Sequence, residues 1–112
     1  MNINRGDIWL ANLDPAVGSE IRKTRPVVIV SNNVNNINNS VVTVLPVTSN
    51  TIRVFSFEVL LPKGIAKLPK DSKAKTDQIR TLDKSRLVKL IGSVPNTYMD
   101  LIDKAMRLHL QL

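Results

Sequence analysis

The sequence predicts a mainly β fold, a small barrel or half-barrel finished by one C-terminal helix. Short runs rich in β-branched residues, VVIV at Val27–Val30 and VVTVLPV at Val41–Val47 among them, alternate with clusters of turn residues. Sustained helical spacing of apolar residues occurs only near the end of the chain. A length of 112 residues supports one core and not two, so residues 1–112 read as a single domain.

Each element has its own signal. Asp7–Asn12, DIWLAN, is a short apolar run between Arg5-Gly6 and Asp14-Pro15, a first strand. Pro26 opens the second, and its unbroken VVIV suggests burial on both faces. Asn32–Asn39 holds six asparagines in eight positions, which predicts a turn-rich connecting loop. Val41–Val47 is the third strand, and Pro46 predicts an edge or a bulge there. Phe55, Phe57, Val59 and Leu61 alternate along a half-buried fourth strand. Lys63–Lys70 is a basic loop. Ser72–Arg80 reads as a fifth strand with Lys73, Lys75 and Asp77 on one face. Leu82–Val94 reads as a helical turn and a short strand. In the last helix, capped by Asn96 or Thr97, residues Tyr98, Leu101, Ile102, Ala105 and Leu108 share a face. Asp100–Lys104 and Asp103–Arg107 are spaced for ion pairs along it.

Composition narrows the function. No run approaches the roughly 18 apolar residues of a membrane span, and the first thirteen residues lack a secretory apolar core. The chain has no cysteine and one histidine, which removes disulfides and the common zinc sites and suits a reducing cytoplasm. The formal charge is +7, and nine of the sixteen cations lie between Lys63 and Lys89. Such a balance points to a polyanion or an acidic protein partner, or to solubility alone.

No phosphate-binding loop, dinucleotide fingerprint or serine-nucleophile elbow is present. His109 falls on the apolar side of the last helix and reads as a packing or dimer-contact residue. With no second histidine, a two-histidine nuclease mechanism is impossible within one chain. What remains are polar groups at strand ends: Glu20 and Arg25 before VVIV, Thr48 and Ser49 after VVTVLPV, and Asp77, Gln78 and Arg80 further on. Hydroxyls, carboxylates and a permanent cation on loops suit phosphodiester recognition. Structural use in turns and ion pairs is the competing explanation.

Taken together, RGDIWLANL, DPAVGSEIRKTRPVVIVS, VVTVLPVTSN, FEVLLP and DSKAKTDQIRTLDKSRL resemble, in order and over nearly the whole chain, the MazF/PemK toxins of bacterial toxin–antitoxin pairs. The resemblance implies an SH3-like barrel, a homodimer and a sequence-specific, metal-independent endoribonuclease acting on single-stranded RNA. It also implies an acidic antitoxin that occludes the RNA groove, and no cofactor. It assigns cleavage to Arg25 and Thr48 with Glu20 as an acidic contributor, on or beside a mobile Gly18–Arg25 loop. Ser19, Lys23, Ser49, Lys75, Asp77, Gln78 and Arg80 become the RNA-binding set. Lys75 stands where some members carry arginine, and a lysine cannot reproduce a bidentate phosphate grip.

Two other functions compete. A gyrase-poisoning toxin of the CcdB type would need no catalytic arginine and would act through the end of its last helix. A non-catalytic nucleic-acid-binding barrel would bind RNA without cutting it and would show stacking aromatics, whereas most of the few aromatics here read as core.

Overall fold

A computed structural model describes all 112 residues. Seven strands form one antiparallel, barrel-like assembly: β1 (Asp7–Asn12), β2 (Thr24–Ile29), β3 (Val41–Thr48), β4 (Glu58–Leu61), β5 (Ser72–Lys75), β6 (Arg80–Asp83) and β7 (Leu87–Ser93). Helix α1 (Asn33–Asn38) joins β2 to β3, and α2 (Asn96–Leu110) ends the chain. The strand order is β4-β5-β3-β2-β1-β7, with β6 also pairing β3.

The unbroken apolar runs are explained by two cores, one on each side of the sheet, where chain length predicts only one, because a curled sheet buries both of its faces within a single domain. Val28, Val30, Leu45 and Val47 join Ile8, Val59 and Leu61 beneath Met99, Ile102 and Ala105 of α2. Val27, Ile29, Val42 and Val44 face the other way, with Trp9, Ala11, Leu13, Leu82 and Leu87. No helix covers this second set, so the sheet must curl on itself to bury it, as a barrel does. Burying each such aliphatic side chain stabilises the fold by about 1.5–3 kcal/mol.

Strand β3 is shared. Its first half pairs with β6, Val41 to Val44 against Asp83 to Arg80. Its end pairs with β5, Val47 and Thr48 against Ala74 and Lys73. Pro46 lies in the gap between these partners and opposite Val27 of β2, so it marks a change of neighbour inside the sheet and not an edge. The missing N–H is tolerated there because that gap has no second strand to accept it.

Other expectations need correction. The asparagine-rich connector is a short helix, because Asn32 accepts the Asn35 N–H at 2.8 Å as an N-cap. Buried Asn36 locks it by donating to the Ser31 carbonyl at 2.9 Å. Ser72–Arg80 is not one strand: a 3-10 turn at Thr76–Gln78 separates β5 from β6. The fourth strand begins only at Glu58, leaving Phe55 and Phe57 ahead of it. Helix α2 starts behind Pro95 with no side-chain cap. Asp103 pairs with Arg5 and not with Arg107, and no Asp100–Lys104 pair forms. Met99, Ile102 and Ala105 make its buried stripe, while Leu101 and Leu108 are exposed. His109 is also outside that stripe, exposed, with its ring stacked on Phe57.

The basic loop is pinned to β7. Gly64, Ala66 and Lys67 all have positive φ, and a Cβ on Gly92 would lie 2.2 Å from the Ala66 carbonyl oxygen. Only glycine admits that approach without displacing the loop.

Candidate functional site

Arg25 is the second residue of β2 and projects into solvent, its Nε donating to the Arg22 carbonyl at 3.3 Å. Strand pairing sets Val27 opposite Pro46. Continuing that register by two residues sets Arg25 opposite Thr48. Opposed residues of an antiparallel pair share a face, so guanidinium and hydroxyl rise from the same side of the sheet. The Thr48 hydroxyl oxygen accepts the Asn50 N–H at 3.2 Å and keeps its own proton to donate. Arg25 and Ser49 also line a cavity of about 220 Å³ with Lys70 and Ser72, above Val47 and Leu68.

The loop from Leu13 to Lys23 overhangs this end of the sheet and is held from below by the segment after β5. Gln78 accepts the Ile21 N–H at 3.2 Å and donates to the Ser19 carbonyl at 3.5 Å. Arg80 Nη1 donates to the Leu13 carbonyl at 3.2 Å. Within the loop the Glu20 carboxylate accepts the Val17 N–H at 2.6 Å, and Lys23, at positive φ, donates its N–H to Asp14 at 3.0 Å. Ser19, Glu20, Asp77, Gln78 and Arg80 therefore surround one depression of about 260 Å³. The structure does not gather the expected residues into one hollow: Glu20 is in this one, Arg25 and Ser49 line the other, and Thr48, Lys23 and Lys75 line neither.

Lys75 is the residue the structure occupies most fully. Its Nζ lies 2.7 Å from Glu58 Oε2 and 3.6 Å from Asp77 Oδ1. Burial alone would lower its pKa, but the bonds to Glu58 and Asp77 outweigh burial and raise it. Glu58 has a fully buried side chain, and Lys73 reaches it from the other side at 3.1 Å. Here burial would raise the carboxyl, yet Lys75, the Phe55 N–H and Lys73 together hold it below the usual carboxylate range. The ion pair of Glu58 with Lys73 is not legible in the sequence because it depends on the β4–β5 register, which pairs Glu58 with Lys75. Only the alternation of Lys73 and Lys75 signalled it. Lys70 was hidden likewise, in a loop whose path only the fold specifies. No group of three or more histidine, cysteine or acidic side chains converges on a point that could hold a metal ion.

Residues 4–110 match the family described as PemK-like, MazF-like toxin of type II toxin-antitoxin system. The chain belongs to that family. It is 43% identical over 115 residues to Endoribonuclease MazF9 of Mycobacterium tuberculosis, covering 98% of each chain. Among solved structures, MazF of Deinococcus radiodurans superposes with a TM-score of 0.87 at 23% identity, covering 100% of this chain and 99% of that one, which shows the shared fold. A mycobacterial endoribonuclease in complex with its cognate antitoxin gives 0.82 at 25% identity, over 98% and 96% of the two chains. The barrel-like β architecture with its C-terminal helix is the family's own.

Proposed function

We infer that this toxin-family chain is a cytoplasmic endoribonuclease that cuts single-stranded RNA at specific sequences and leaves a 2′,3′-cyclic phosphate and a 5′-OH. The observation that carries the reading is the pairing of Val27 with Pro46, whose register, continued by two residues, sets Arg25 opposite Thr48 at the foot of a clasped, cation-bearing loop. The relative named an endoribonuclease supports it.

The 2′-OH attacks the adjacent phosphorus, negative charge builds on the phosphorane oxygens, and the P–O5′ bond then breaks, the departing 5′ oxygen taking its proton from solvent water. Arg25 supplies a planar, permanently charged donor fork for that charge, and Thr48 donates its hydroxyl proton to a nonbridging oxygen. A guanidinium stays charged near neutrality and transfers a proton poorly there, so Arg25 acts through its field. Glu20 is the carboxylate able to take the 2′ proton, once the loop turns it from Val17 toward Arg25. Gln78 and Arg80 set the loop's resting position, and Ser19, Lys23, Ser49 and Asp77 present further polar contacts to the strand. Lys75 then acts through Glu58 and Asp77, as a spacer between strand and turn and not as a phosphate clamp.

The +7 charge suits an acidic, antitoxin-like partner that competes with RNA for this surface. A C2 homodimer supplies the groove length that one small barrel lacks. The test is to incubate the purified protein with long single-stranded RNA and map both ends of each fragment. Discrete cuts bearing 5′-OH and cyclic phosphate are expected. Intact RNA, or 5′-phosphate ends, would sink the proposal.

A further inference from the structure

The chain has two phenylalanines and one histidine, and all three meet on one exposed surface outside both cores. Phe55 and Phe57 stack with centroids 5.3 Å apart and planes inclined by 23°. Phe57 and His109 stack at 5.6 Å and 24°. The Arg53 guanidinium lies over Phe55, 4.6 Å from the ring centroid. This makes a four-membered ladder, with a planar cation at one end and an imidazole at the other. Phe55 remains 43% exposed, so the ladder leaves in water apolar area that a core would have buried.

The ladder is held rigidly from behind. Lys73 Nζ donates to the Arg53 carbonyl at 2.6 Å, and the Phe55 N–H donates to Glu58 Oε1 at 2.9 Å. The Thr76 hydroxyl donates to the Phe57 carbonyl. Every second residue of the connection is thus anchored by its backbone, and the side chains between these anchors and solvent are presented in advance of any ligand. Lys73 also stands opposite Thr48, so one side chain links the ladder's cationic end to the proposed cleavage centre.

We propose that Arg53, Phe55, Phe57 and His109 form a base-stacking platform for the single-stranded nucleic acid that runs past Thr48. This rests on the ribonuclease reading for the identity of the strand, though not for the platform's ability to stack bases. Guanidinium and imidazole planes are groups on which nucleobases stack, and a ladder ending in both can be extended by a base at either end. Because every base has a π face, the platform adds affinity without choosing sequence. Its loss therefore weakens binding and leaves the cleavage pattern alone.

The test uses the full chain and the variants Phe55→Leu and Arg53→Gln, which alter exposed side chains. The binding probe is a fluorescein-labelled 20-nucleotide 2′-O-methyl RNA of mixed sequence, whose capped 2′ oxygens resist cleavage. Each variant should bind it about tenfold more weakly by anisotropy. Each should show a similar rise in KM on long single-stranded RNA, with kcat and the mapped cut sites unchanged. Unaltered affinity and KM in both variants overturns the platform. So does a variant that keeps RNA affinity but changes oligomeric state or antitoxin affinity, because the surface is then a protein contact. If the variants lose probe affinity while the parent protein cuts no RNA, the platform stands and the ribonuclease reading falls.

Discussion

Glu58 with Lys73 and Lys75, and Glu20 with Arg22, Lys23 and Arg25, are two sets of the same residue types on one small sheet. In the first, a fully buried carboxylate meets two ammonium groups within 3.1 Å. In the second, all four side chains are exposed, and no acid–base pair forms among them. Their polar contacts are with loop backbone, as in Glu20 to Val17 and Arg25 to Arg22. The difference separates two uses of charge. A desolvated, paired set fixes strand and turn geometry, and removing one member leaves a cost the fold must bear. An exposed set contributes little to stability and stays available to a ligand.

The comparison breaks most sharply at Arg25. Arg25→Ala should lower the RNA cleavage rate by about 10²–10³-fold, as expected for loss of one transition-state donor. Its unfolding free energy should stay within about 0.5 kcal/mol of the parent. Single-turnover cleavage and urea denaturation together check this. Undiminished cleavage would remove Arg25 from the site.

Glu58→Gln should do the reverse. It should cost about 3 kcal/mol in urea unfolding, the low end for breaking a buried pair, because Lys75 retains some contact with water. The pH dependence follows from the shifts. The Glu58 carboxyl lies below its ordinary 4.5 in the folded state, so its contribution is full above that value and lost as pH falls through the lowered one. Lys75 lies above its ordinary 10.5, so its contribution is full below that value and lost as pH rises through the raised one. Stability from this cluster is therefore flat across neutrality. The variant should show a smaller acid-side decline in a pH series, the remainder coming from groups such as Asp83, which Ser85 also holds below the usual range, and a decline of the parent's size would place its origin elsewhere.

Gln78→Ala should have a smaller effect, since it releases two hydrogen bonds from the loop. A net value near 1 kcal/mol corresponds to about fivefold in KM for RNA. Faster amide exchange at Ser19 and Ile21 should accompany it. Excess EDTA should have no effect on rate, because the proposed charge-stabilising groups are Arg25 and Thr48 and no acidic cluster offers a metal site. Activity lost to chelator and restored by Mg²⁺ would contradict the cleavage route.

How far the sequence reached also follows this division. Strands β1 and β3 and the two-faced burial of Val27–Val30 were readable because hydrophobic pattern is local information. Arg25, Thr48 and the DQIRT segment are expected site residues through the family motifs alone. Glu58 was not readable: it occupies a polar position in FSFEVLL, and nothing nearby says that two lysines lie across the next strand. The Asn32 cap was missed because six asparagines obscure which one begins a helix. Spacing pairs Asp103 with Arg107, while the fold brings Arg5 to it from ninety-eight residues away. Local rules cannot see a partner supplied by topology.

Strand β3 lends Val42 and Val44 to one core and Leu45 and Val47 to the other, and it ends in Thr48. Its side chains alternate with a period of two. A single inserted or deleted codon within β3 would therefore exchange the faces of everything beyond it, carrying Thr48 away from Arg25 while exposing Val47. The same change among the exposed residues Val17–Glu20 would leave both cores and the Arg25–Thr48 register in place. Heritable length changes can thus remodel the loop over the proposed site one residue at a time, while the pair at its centre tolerates no slippage.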